Sequence, residues 1–83
     1  MKAIKRPHIT EKAMDMMDFE NKMQFVASPD ATKQEIADEI ERAYDVEVAD
    51  VNTATTMTGE KKATVEFEGE DVAQDIASRM GAF

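Results

Sequence analysis

Between residues 61 and 68 the chain alternates, with Ala63, Val65 and Phe67 set between Lys62, Thr64, Glu66 and Glu68. A side-chain period of two is that of a strand with one face buried. The preceding limb places Val51, Thr53, Thr55 and Met57 on one face, and Thr58-Gly59-Glu60 between the limbs predicts a hairpin of three to four loop residues. Val46 and Val48 fall on even positions instead. The register therefore changes near Ala49-Asp50, where a β-bulge or a separate strand start is expected.

A lone hairpin is marginal in water, so other elements must cover its apolar face. Met23, Phe25 and Ala27 alternate with Lys22, Gln24 and Ser28, which predicts a second half-buried strand that Asn21 opens and Pro29-Asp30 ends. Residues 2–5 read as a short edge strand that Pro7 blocks, since proline cannot donate to a ladder. Thr10 is the expected N-cap of a helix over residues 11–17, with Ala13, Met14 and Met17 on one stripe and Phe19 anchoring its exit.

Thr32-Lys33-Gln34-Glu35 has the spacing of a capping box, in which hydroxyl and carboxylate each satisfy an orphan amide at a helix start. The helix it opens carries Ile36, Ala37, Ile40, Ala43 and Tyr44 on one stripe and Glu35, Asp38, Glu39, Glu41 and Arg42 opposite. Val72, Ala73, Ile76, Ala77 and Met80 repeat the pattern, Gly81 stands where a left-handed C-terminal residue belongs, and Phe83 is expected to fold back. The order is strand, helix, strand, helix, strand, strand, helix. A strand-helix-strand crossover cannot join hairpin partners directly, so the last strand is expected between the two that the crossover connects. The fold class is α+β: an antiparallel or mixed sheet with helices packed on it in a split β-α-β arrangement.

Eighty-three residues suffice for one domain with one modest core, expected to span 1–83. Cysteine is absent, which removes disulfides, thiolate metal sites and cysteine nucleophiles. No stretch approaches the ~20 apolar residues of a membrane span, so a cytoplasmic protein without membrane insertion is expected. The net charge of -8 argues against nucleic acid until its distribution is considered. Six bases and five acids fall in residues 1–33, whereas four bases and thirteen acids fall in residues 34–83. The chain is electrostatically two-sided.

Candidate chemistry is sparse. His8 is the single histidine, with no second histidine or cysteine to share catalysis or a metal, and a surface contact to phosphate suits it better. Met14, Met16, Met17 and Met23 invite a copper(I) reading, but three of them fall on core stripes, where methionine commonly fills gaps. Asp15, Asp18 and Glu20 lack the spacing and glycine of a calcium loop, and Gly59 stands without a phosphate-cradling glycine series. An enzyme is not expected, nor a cofactor. There remain Lys5, Arg6, Lys12, Lys22, Lys33, Lys61 and Lys62, with Asn21, Asn52, Thr53 and Thr55. They read equally as turn chemistry with ordinary surface lysines, or as a nucleic-acid surface.

Three segments decide between these readings. Pro7-His-Ile-Thr-Glu-Lys-Ala13, Asn21-Lys-Met-Gln-Phe25, and Val51-Asn-Thr53 followed by Gly59-Glu-Lys-Lys-Ala63 resemble the family of large-ribosomal-subunit protein twenty-three, found at the peptide tunnel exit. The acidic composition resembles its version in halophilic archaea. The resemblance implies a four-stranded sheet with helices, bound to large-subunit ribosomal RNA and hence ribosome-bound. It also implies a neighbouring ribosomal protein twenty-nine and a docking surface for the signal recognition particle and other exit-site factors. By motif position it implies RNA contacts from Thr10, Glu11, Lys12, Asn21, Lys22, Asn52, Thr53, Lys61 and Lys62. Bacterial members carry a long basic hairpin tip that reaches into the tunnel, whereas here only Thr58-Gly59-Glu60 separates the limbs. The competing reading is a free-standing adaptor whose acidic helix, residues 34–44, docks a basic protein.

Overall fold

A computed structural model describes residues 3–80 of the chain. These residues form seven elements: β1 (Ile4–Pro7), α1 (Glu11–Glu20), β2 (Lys22–Ala27), α2 (Lys33–Tyr44), β3 (Val48–Thr55), β4 (Lys61–Phe67) and α3 (Val72–Met80). The strands make one sheet in the order β1-β2-β4-β3, and all neighbouring pairs are antiparallel. β4 thus lies between β2 and β3, the two strands that α2 connects, as the split β-α-β expectation requires. The expected bulge is present between Val48 and Asp50.

One core holds the layers together. Met23, Phe25, Ala27, Val51, Ala63, Val65 and Phe67 of the sheet meet Met17 of α1, Ile36 and Ile40 of α2, and Ala73, Ile76 and Ala77 of α3. Each of these side chains is nearly removed from water, which supplies the main stabilisation of so small a chain. α2 starts at the capping box: the Glu35 amide donates to Thr32 Oγ1 at 3.1 Å and the Thr32 amide to Glu35 Oε1 at 2.9 Å. Thr10 caps α1 in one direction only, accepting from the Ala13 amide at 3.0 Å. Both helices end on a left-handed residue that is not glycine, Asn21 (φ 57°) and Asp45 (φ 55°); short polar side chains tolerate that conformation.

Several sequence expectations are corrected. β1 starts at Ile4 and includes Pro7, and pairing continues past it, with the His8 amide donating to Gln24 O at 2.9 Å. Pro7 is tolerated because β1 is an edge strand and needs no donor on its outer side. α1 runs a turn beyond residue 17, which carries Phe19 out to 83% exposure and leaves Met14 41% exposed. Ala43 is exposed as well. β3 ends at Thr55, so Met57 sits fully exposed at the hairpin tip rather than on the inner face. There the Thr56 amide donates to Glu60 O at 2.8 Å, enclosing a three-residue tip in which Gly59 supplies φ 87°. The expectations for Lys2, Gly81 and Phe83 lie outside the described residues.

Candidate nucleic-acid interface

The antiparallel register fixes which polar side chains share the sheet face opposite the core. Three cross-strand rows result: Asp50, Glu66 and Lys22; Asn52, Thr64 and Gln24; Ala54, Lys62, Val26 and Arg6. Asp50, Asn52, Ala54 and Arg6 are exposed, and Lys22, Lys62, Thr64 and Glu66 are half-buried. The middle row is a line of neutral hydrogen-bonding groups in which Gln24 Nε2 donates to Thr64 Oγ1 at 3.3 Å. Gln24 is 5% exposed, the one buried polar residue among those described, because β2 is a central strand flanked on both sides.

Charge is graded across these rows. At the Lys22 end, Lys22 Nζ pairs with Glu20 at 3.2 Å while Asp50 and Glu66 stand in the same row, so three carboxylates outweigh one cation. At the opposite end Lys62 makes no ion pair or hydrogen bond among the described residues, and Arg6 Nη2 pairs with Glu60 at 3.1 Å in an exposed contact. Lys5, exposed at the irregularity in β1, adds a third cation near that end. An exposed pair such as Arg6–Glu60 is worth little and can re-form around a phosphate.

Not every residue expected at an interface reaches this face. Lys61 is on the helix side, where its Nζ donates to Ala31 O at 2.6 Å across the end of the sheet. Thr53 and Thr55 share that side, in register with Ala63 and Lys61. The Asn21 carboxamide is engaged within the protein, donating to Phe67 O at 3.1 Å and Gly69 O at 3.0 Å and accepting from the Ala73 amide at 2.9 Å. Lys33 opens α2 and lines a groove against β3. Thr10 and Lys12 stand exposed at the start of α1, and half-buried His8 follows β1. Asn52 remains exposed, its Nδ2 only 3.4 Å from Asp50 Oδ2.

Gln24 and Thr64 complete the middle row and were not among the expected contacts. Their signal was the same alternation that revealed the core: each lies one residue from a buried apolar neighbour on its strand.

The two acids Glu39 and Glu41, expected on a free helix face, are both used internally. Glu39 accepts from the Ala3 and Ile4 amides at 2.8 and 3.3 Å, and Glu41 accepts from the Val48 amide at 3.0 Å. α2 thus fastens both outer strands of the sheet.

The family model described as ribosomal protein L23 matches residues 2–74. A large ribosomal subunit protein uL23 of Haloarcula marismortui is 56% identical over 80 residues, covering 96% of this chain and 94% of that protein. The Halobacterium salinarum protein of the same name is 60% identical over 77 residues, covering 93% and 92%. That of Natronomonas pharaonis is 56% identical over 80 residues, covering 96% and 98%. All three come from halophilic archaea, in keeping with the acidic composition. The chain belongs to the ribosomal protein L23 family, whose members are structural proteins rather than enzymes.

Proposed function

We propose that the protein, as a single domain over residues 1–83, is a structural component of the large ribosomal subunit that binds large-subunit ribosomal RNA near the peptide exit tunnel. In the cytoplasm it is ribosome-bound. It lies beside ribosomal protein twenty-nine and helps form the docking site for the signal recognition particle and other exit-site factors. The observation that carries the RNA reading is the sheet face opposite the core, with Lys62, Arg6 and Lys5 at one end and Asn52, Thr64 and Gln24 across its middle. The cations neutralise phosphates, and the neutral row offers donors and acceptors to riboses and base edges. The sheet face offers no aromatic platform among the described residues, because Phe25 and Phe67 are buried and Tyr44 packs against the core, while the exposed ring of Phe19 stands at the end of α1. That suits folded RNA read by shape rather than single strands.

The adaptor alternative draws on the acidic face of α2, from which Glu39 is turned to the Ala3 and Ile4 amides. Sedimentation of cell lysate separates the readings. The protein should migrate almost wholly with the large subunit and crosslink to its RNA through position 62; recovery at the top of the gradient would overturn the proposal.

A further inference from the structure

The two outer strands of the sheet are finished differently. In β1 the His8 amide points inward to Gln24, so Pro7, one residue earlier, points outward and has no N–H to offer. Glu39 takes the Ala3 and Ile4 amides, the strand is four residues long, and Lys5 and Arg6 charge it. These are the devices by which natural proteins blunt an edge against pairing.

β3 has them only at its beginning. Glu41 takes the Val48 amide, and the bulge follows. Beyond it the Thr56 amide points inward to Glu60, and by alternation Ala54 and Asn52 also face β4. The N–H and C=O groups of Val51, Thr53 and Thr55 therefore point outward. The segment Val51-Asn-Thr-Ala-Thr55 carries no charge and no proline, and four of its five residues are not buried.

We infer that the outer edge of β3, from Val51 to Thr55, receives an extended segment of another protein that adds a fifth strand to the sheet. The inference rests on the proposed place of the protein in the large subunit. A strand is the fitting occupant because it supplies donors and acceptors alternately, as this edge does, whereas RNA phosphates only accept. The segment is basic. The grooves between the edge and α2, and along α2, are lined by Asp38, Glu41, Asp45 and Asp50 against Lys33 and Arg42, four carboxylates to two cations. The same surplus of acid repels an RNA backbone.

Amide hydrogen exchange resolved to single residues tests this in three samples. These are the isolated full chain in concentrated potassium chloride, the purified large subunit, and a particle reconstituted from large-subunit RNA with this protein alone. In the isolated chain and the RNA-only particle, the amides of Val51, Thr53 and Thr55 should exchange fast beside the slower Asn52 and Ala54. In the complete subunit they should slow by about tenfold or more, as expected when an edge becomes an interior strand. Fast exchange in a subunit that contains the protein overturns the inference and leaves the ribosomal assignment standing; failure to enter the subunit overturns the assignment itself. Protection in the RNA-only particle means that RNA covers the edge, and protection that grows with concentration in the isolated chain means self-pairing. Either result overturns the protein-strand inference.

Discussion

Asn21 and Ala73 are joined by a hydrogen bond of 2.9 Å, from the first amide turn of α3 to the side-chain oxygen of the residue that ends α1. The same carboxamide donates to Phe67 O and Gly69 O, so one side chain ties together the end of α1, the end of β4 and the start of α3. Its own backbone is left-handed, a conformation that Asn and Gly tolerate and Ala does not. Asn21→Ala should therefore cost about 2 to 4 kcal/mol, combining lost hydrogen bonds with backbone strain. Asn21→Gly should recover the backbone part alone. Denaturant titration of the two variants checks this, and equal losses would remove backbone strain from the account.

The carboxylates of α2 should separate into two groups. Glu39→Ala strips the acceptor from the Ala3 and Ile4 amides, and Glu41→Ala does the same for Val48. Each should cost about 1 to 2 kcal/mol, the typical effect of losing a partly buried charged acceptor. Among the described residues Asp38 bonds only to exposed Gln34, and Asp38→Ala should stay within about 0.5 kcal/mol of the parent. Thermal melts of the three variants decide it, and a uniform response would contradict the distinction.

The alternation in β2 and β4, the capping box at Thr32 and the stripe of α3 were legible in the sequence because each rests on a local rule with a fixed spacing. The insertion of β4 between β2 and β3 followed from chain connectivity. What local rules could not supply was competition between distant groups. Lys61 and Lys62 are adjacent in sequence and equal in charge, yet the period of two sends them to opposite faces, and only Lys62 stays available. Asn21 matches a family motif and has the chemistry of an RNA contact, but its partners lie 46 to 52 residues away and take both of its donors and one acceptor site of its oxygen. Phe19 and Met57 were misplaced because the ends of α1 and β3 depend on where Asn21 and Thr56 find partners, not on hydrophobicity.

Phe67 is 3% exposed and meets the core from the end of β4, with its amide donating to Asn21 O at 3.1 Å. Phe67→Ala should cost about 3 to 5 kcal/mol, a large fraction of the stability of a domain this size. A loss under about 1 kcal/mol in chemical denaturation would show that the site collapses without leaving a cavity.

The acidic half of the chain predicts a response to salt. Thirteen acids and four bases lie in residues 34–83, and the ion pairs among the described residues engage only Glu60 and Asp75 of those thirteen. Raising potassium chloride from about 0.1 to about 1 M shortens the screening length from about 10 to about 3 Å, which relieves repulsion between neighbouring carboxylates. The Tm of the isolated protein should climb across this series by circular dichroism. A Tm that is flat or falls would count against self-repulsion as a controlling term.

Lys62 and Lys61 offer the sharpest test of the RNA face. Lys62 has no partner among the described residues and stands with Arg6 at the cationic end of the face opposite the core. Lys62→Gln should weaken binding to a large-subunit RNA fragment and lower the magnitude of the salt slope by about 1, as expected for one lost phosphate contact. Lys61→Gln removes the bond to Ala31 O on the other face, so it should lower Tm while leaving the slope unchanged. Asn52→Ala and Thr64→Ala, in the neutral row, should reduce affinity without altering the slope, and their effect should persist in concentrated salt, where counterion release contributes little. Filter binding across a salt series reads all four variants. If Lys61→Gln changes the slope as Lys62→Gln does, RNA does not choose between the two faces as the register of the sheet dictates.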